Sequence, residues 1–121
     1  MSIKLPGFTG VNHQIPLAQA IEMTQKYRLG NETILEPVMR NMDILPLSET
    51  FNREDFDKLL SQESCEGIRL YYGMDAELKV HIIAVGVNRS NEDLIGDSNS
   101  IVIENGLRCP ANCPPASALN S

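Results

Sequence analysis

The sequence predicts an α+β fold with a mainly antiparallel sheet, and three observations carry that expectation. Helical periodicity fills the first half of the chain and stops near residue 61; alternation takes over after Gly67. No internal repeat, heptad run or long linker divides the 121 residues, a length near the commonest size of one domain. We therefore expect one domain over residues 1–108, with about four strands and two to three helices, followed by a Pro/Cys-rich tail over residues 109–121.

Residues 1–15 hold Pro6, Gly7, Gly10 and Asn12 without a sustained period and read as an irregular lead-in. Residues 16–30 are helical, because Leu17, Ala20, Ile21, Thr24 and Tyr27 share one stripe. Pro16 suits the first helical position and Gly30 the left-handed residue past the end. A second, short helix is expected from Asn31, ending or bending at Pro37, which lacks a backbone donor. Residues 43–51 read as extended, with Pro46 restricting them to a sheet edge.

Asn52 then caps a helix of about ten residues, with Asp55 three positions later and Phe56, Leu59 and Leu60 on one face. Residues 68–72 and 78–87 alternate and read as two strands joined by a hairpin over residues 73–77. The second becomes apolar on both faces from Ile82, as a central strand does. A right-handed crossover through the intervening helix would pair residues 44–51 in parallel with residues 67–73. Residues 88–100 form a polar loop, residues 101–104 a short strand, and Asn105-Gly106 a tight hairpin returning through residues 107–109.

Composition narrows the function classes. Apolar residues make up 42% and charged residues 21%, ordinary globular usage, and Trp is absent, so the core falls to Ile, Leu, Val and Met. Sixteen acidic against ten basic side chains give a net charge of −6, and the basic residues are scattered. Such a surface repels nucleic acid and anionic membranes. No apolar run approaches the roughly 20 residues that span a bilayer. The N-terminus lacks a signal-type apolar segment, and three cysteines fit a reducing compartment. The sequence-based expectation is a cytoplasmic protein.

Cys109 and Cys113 are spaced C-x3-C, which suits a zinc half-site, a redox dithiol or a disulfide clip. Zinc needs four ligands, and the remaining candidates, Cys65, His81 and His13, are isolated. A redox pair works best at a helix N-terminus, which Pro110, Pro114 and Pro115 disfavour. A structural or disulfide role is the plainer reading. His81 is a candidate base or ligand on the strand face it shares with Ile83 and Val85; Tyr72, Arg69 and Glu77 are its possible hairpin neighbours.

Tyr71 and Tyr72 point to opposite faces, one expected in the core and the other reaching solvent or a pocket rim. Asp93, Asp97, Asn99, Asn88 and Asn91 offer oxygen ligands, but the spacing departs from a calcium loop and suits Asx turns. The phosphate-binding, dinucleotide and nucleophile-elbow motifs are all missing.

The stretch over residues 56–87, with Cys65-Glu-Gly-Ile-Arg-Leu-Tyr-Tyr-Gly73, and the Cys109-Pro-x-x-Cys113-Pro pattern resemble a family of small bacterial proteins with a C-terminal CPxxCP tail. The resemblance spans about the C-terminal two thirds. It implies a cytosolic accessory protein and brings no activity or functional residue with it.

These observations favour a non-enzymatic binding or interaction module with no cofactor. It would present the face around Tyr71, Tyr72 and His81, or the tail, to a protein or small ligand. The alternative is a metal- or redox-responsive protein using Cys109 and Cys113, with Cys65 or His81 brought close. A small enzyme with His81 as base is a third reading. The strand ending at Cys109 leaves an edge through which copies of the chain could pair.

Overall fold

Helix α1 (Leu17–Gly30) starts after Pro16, which stays in extended backbone at φ −61°, ψ 144° and serves as the cap residue, one position before its expected place. In the computed structural model, which describes residues 7–96 and 100–121, α1 is a surface helix. Ala20, Ile21, Thr24 and Tyr27 on the expected stripe are half-buried, while Leu17 is exposed. Gly30 does not take the left-handed position; it is the last helical residue, and Asn31 follows at φ −62°, ψ −34°. The buried Asn31 donates its backbone N–H to Tyr27 O at 2.8 Å and its side-chain amide to Leu45 O at 3.4 Å, so a side chain fixes the helix exit instead.

The expected helix over residues 31–36 does not form. Glu36 before Pro37 is extended, as the proline ring requires, and Pro37 opens a short 3-10 turn, Pro37–Met39, instead of ending a helix. Arg40 takes up carbonyls that a helix would have used internally, donating to Glu32 O, Leu35 O and Thr33 O.

Helix α2 (Arg53–Leu60) has the expected cap, Asn52 Oδ1 accepting from Asp55 N at 2.9 Å, and acidic Glu54 and Asp55 in its first turn. Among the described residues five strands follow the α+β expectation but divide between two antiparallel sheets. Strand β1 (Ser48–Thr50) pairs with β5 (Leu107–Cys109), and β3 (Val80–Val87) lies between β2 (Gly67–Met74) and β4 (Val102–Ile103). The parallel pairing expected for the segment around β1 is replaced by an antiparallel ladder, Ser48 opposite Cys109, Glu49 opposite Arg108 and Thr50 opposite Leu107.

Asn105-Gly106 likewise closes no hairpin. Asn105 takes the positive φ that a type I′ turn needs, at 68°. The chain nevertheless leaves β4, paired with β3 through Ala84–Ile103 and Val85–Val102, and enters a ladder with β1.

Within this small α+β domain the backbone groups into two compact units. One takes in residues 7–12, 51–71 and 82–105, and its core is apolar: Leu59, Ala84 and Ile103 are buried, with Phe51, Phe56, Cys65 and Ile101 packed against them. The Phe51 and Phe56 rings meet edge to face, centroids 5.5 Å apart. Residues 84–87 of β3 are buried, as its two-sided apolar sequence predicts. Gly67 lets the aromatic ring of Phe8 in, for a Cβ there would sit 2.6 Å from Phe8 Cε2.

The other unit takes in residues 13–50, 72–81 and 106–121, and here side chains hold backbone carbonyls. Arg108 donates to Val80 O at 3.1 Å, Asp43 O at 2.9 Å and Ile44 O at 3.2 Å, and Val80 N donates to Ile44 O at 2.8 Å. Among the described residues no helix is long and apolar enough to cross a membrane.

Candidate binding cavity

The tail supplies the feature that most resembles a ligand site. Cys109 ends β5 and is disulfide-bonded to Cys113, their Cα atoms 4.5 Å apart, so the chain reverses immediately after the strand. Asn112 N reinforces the reversal by donating to Arg108 O at 2.8 Å. Farther on, Asn120 fastens the tail to itself: its Oδ1 accepts from Ser117 N at 2.8 Å and its Nδ2 donates to Pro115 O at 3.0 Å. Arg28 of α1 then donates to Leu119 O at 2.6 Å and Ser121 O at 2.8 Å.

Fastened at both ends, the tail forms a half-open cavity of about 840 Å³ with α1 and the β1/β5 ladder. Its walls include Met23, Tyr27, Leu47, Pro114 and Leu119, together with both sulfur-bearing residues of the disulfide. Tyr27 donates its hydroxyl to Pro46 O at 2.7 Å, and burial lifts the phenol above its ordinary pKa. Ser48, also on the wall, has a buried hydroxyl oxygen with no hydrogen-bond partner. An orphaned buried hydroxyl is costly, and it marks where a ligand would find a polar contact.

His81 lies in the same unit, bracketed by carboxylates that its sequence neighbourhood did not single out. Its Nε2 is 2.7 Å from Asp75 Oδ2 and its Nδ1 is 3.8 Å from Glu49 Oε1. The Glu49 side chain is fully buried, because β1 turns it inward opposite Arg108. Asp75 sits in the β2–β3 turn, where its carboxylate also accepts from Glu77 N at 2.8 Å and Lys79 N at 3.0 Å. The His81 contact, followed by these backbone donors, holds the Asp75 carboxyl below the usual carboxylate range. Carboxylates at both ring nitrogens orient the imidazole, and the possible neighbours Tyr72, Arg69 and Glu77 are not the side chains at these two contacts.

The tyrosines depart from expectation as well. Tyr71 and Tyr72 are both exposed, at 44% and 79%, since β2 is a sheet edge and neither ring enters the core. Tyr71 donates its hydroxyl to Asp93 Oδ2, and Asp93 Oδ1 accepts from Arg69 at 2.5 Å, so this loop carboxylate is engaged by β2. Asp97 and Asn99, weighed as oxygen ligands, lie outside the described residues. Cys65 is a free thiol, donating to Gly67 O at 3.3 Å in the apolar unit. Among the described residues no group of three His, Cys, Asp or Glu side chains is arranged to hold a metal ion.

The cavity was legible only in fragments: the tail cysteines were visible in the sequence, while Arg28 and Ser48 carried no motif. No protein-family model, curated protein or solved structure matches the chain.

Proposed function

We propose that the chain is a non-enzymatic binding module whose ligand seat is the cavity under the tail. The observation that carries this reading is the cavity itself. Its volume of about 840 Å³ falls in the range of small-molecule sites, roughly 300–1,000 Å³, and such sites combine apolar walls with a few polar groups. The face around Tyr71, Tyr72 and His81 is less suited, because Tyr71 is bonded to Asp93 and His81 lies between Asp75 and Glu49. A cytosolic location is part of this proposal, and it requires the Cys109–Cys113 disulfide to hold against the reducing thiols of that compartment.

Nile red, a neutral apolar dye, tests the seat. Its fluorescence should rise on binding to the native chain and stay at the free-dye level with Ala116→Trp, which fills the cavity from the exposed tail. Equal enhancement by both proteins would place the dye elsewhere and reject the cavity.

A second reading is redox response, favoured by the position of the Cys109–Cys113 disulfide in the cavity wall. A thiol reductant would convert the disulfide to two thiols, itself becoming oxidised, and free the chain reversal after β5. On this reading Nile red affinity changes on reduction and recovers on reoxidation. Unchanged affinity would leave the disulfide a purely structural clip.

A further inference from the structure

We infer that the cavity takes an amphipathic monocarboxylate, an apolar chain bearing one anionic head, with Arg28 and Ser48 receiving the head. The inference rests on the cavity being the ligand seat and adds the chemistry of its occupant. Its first support is the charge of the lining. In a chain with 16 acidic and 10 basic side chains, the wall contains, among the described residues, one charged side chain, Arg28, and no Asp or Glu. The one charged side chain on this wall is a cation, which disfavours an amine and leaves an anionic head the better match.

The second support is hydrogen-bonding capacity. A buried carboxylate must be paired and must also accept hydrogen bonds. Arg28 has more N–H donors than the two tail carbonyls use, and guanidinium matches carboxylate geometry. Ser48 adds a buried hydroxyl that has no partner and can turn to donate. A purely apolar ligand would leave that hydroxyl unsatisfied. A dicarboxylate would bring a second charge to walls that offer a single cation. Everything else, from Met23 and the Tyr27 ring to Leu47, Pro114 and Leu119, suits an alkyl or aryl body.

Decanoate and 1-decanol, which share a chain and differ in the head, test the inference by displacement of Nile red at pH 7. Decanoate should bind at least about tenfold more tightly than decanol. Arg28→Gln should erase that preference, with a larger loss for decanoate than for decanol, because the guanidinium also fastens the tail; Arg28→Lys should keep most of the preference, and Ser48→Ala should weaken decanoate several-fold.

Equal affinity of the two probes for the native chain would overturn the monocarboxylate while leaving the cavity as a site for neutral ligands. A preference that survives Arg28→Gln would do the same. Equal loss of both probes in Arg28→Gln would show that Arg28 acts by holding the tail, and would also overturn the inference. Displacement by neither probe overturns it too, and the seat is then judged by Nile red and Ala116→Trp alone.

Discussion

The two units of the chain are stabilised by different physics. In the unit with α2 and most of β3, buried residues are apolar: Leu59, Ala84, Val85, Val87 and Ile103. In the unit with α1, β1 and β5 the buried residues are Ile44, Cys109 and the polar Asn31, the Glu49 side chain is buried as well, and arginines do much of the fastening. Arg28, Arg40 and Arg108 each donate to two or more backbone carbonyls. Apolar cores gain by excluding space, whereas directional bonds can fix a frame around an opening. The cavity lies in the second kind of unit.

The contrast breaks most visibly at Leu59. Its side chain is fully buried in the apolar core, so Leu59→Ala should cost about 3 kcal/mol, read as a fall in the urea midpoint with little change in slope. Nile red enhancement under native conditions should persist, because the cavity is framed elsewhere. Loss of dye binding in a still-folded Leu59→Ala protein would mean that the two units do not differ in the way proposed.

Arg108→Leu probes the other side. It removes a guanidinium that serves three carbonyls and should cost about 2 kcal/mol, in line with hydrogen bonds from charged donors. Unlike the Leu59 change, it should also weaken Nile red binding, since β5 is part of the cavity frame. An unchanged urea midpoint together with normal dye binding would show that these bonds merely replace water.

This division also explains what the sequence could and could not disclose. Elements governed by local chemistry were readable: Asn52 caps α2, apolar residues on both faces of β3 make it central, and Gly67 begins the alternating half. Pairings set by distant competition were not. Asn105-Gly106 has the composition of a hairpin, yet the strand that follows it pairs with β1 instead of returning along β4. Pro37 reads as a helix terminator, but it opens a turn once Arg40 takes the carbonyls before it.

The site followed the same rule. Cys109 and Cys113 were visible as a pair, whereas Ser48 gains meaning only from the register that sets it opposite Cys109. Asp75 was within reach of His81 in the hairpin, but the register that brings them together depends on Leu78 adopting a left-handed φ of 68°. A non-glycine residue there is uncommon, and composition gave no sign of it.

The smallest effect, and the finest test of the contrast, concerns the exposed network on β2. The Tyr71 hydroxyl donates to Asp93, which holds the Asp93 carboxyl below the usual range, with Arg69 adding to the effect. The same hydrogen bond pushes the Tyr71 phenol above its ordinary value. A carboxyl whose pKa is depressed by folding contributes stability above its unfolded value, about 4, and loses it as pH falls through the folded value. A phenol whose pKa is raised contributes below about 10 and loses its contribution as pH rises through the folded value. The midpoint difference between the native chain and Tyr71→Phe should therefore be flat near neutrality and shrink on both the acid and alkaline sides. Urea titrations of the two proteins across that range measure it directly. A difference independent of pH would mean that Tyr71 contributes only its ring, leaving Asp93 to Arg69 and making this corner another case of a guanidinium doing the fastening.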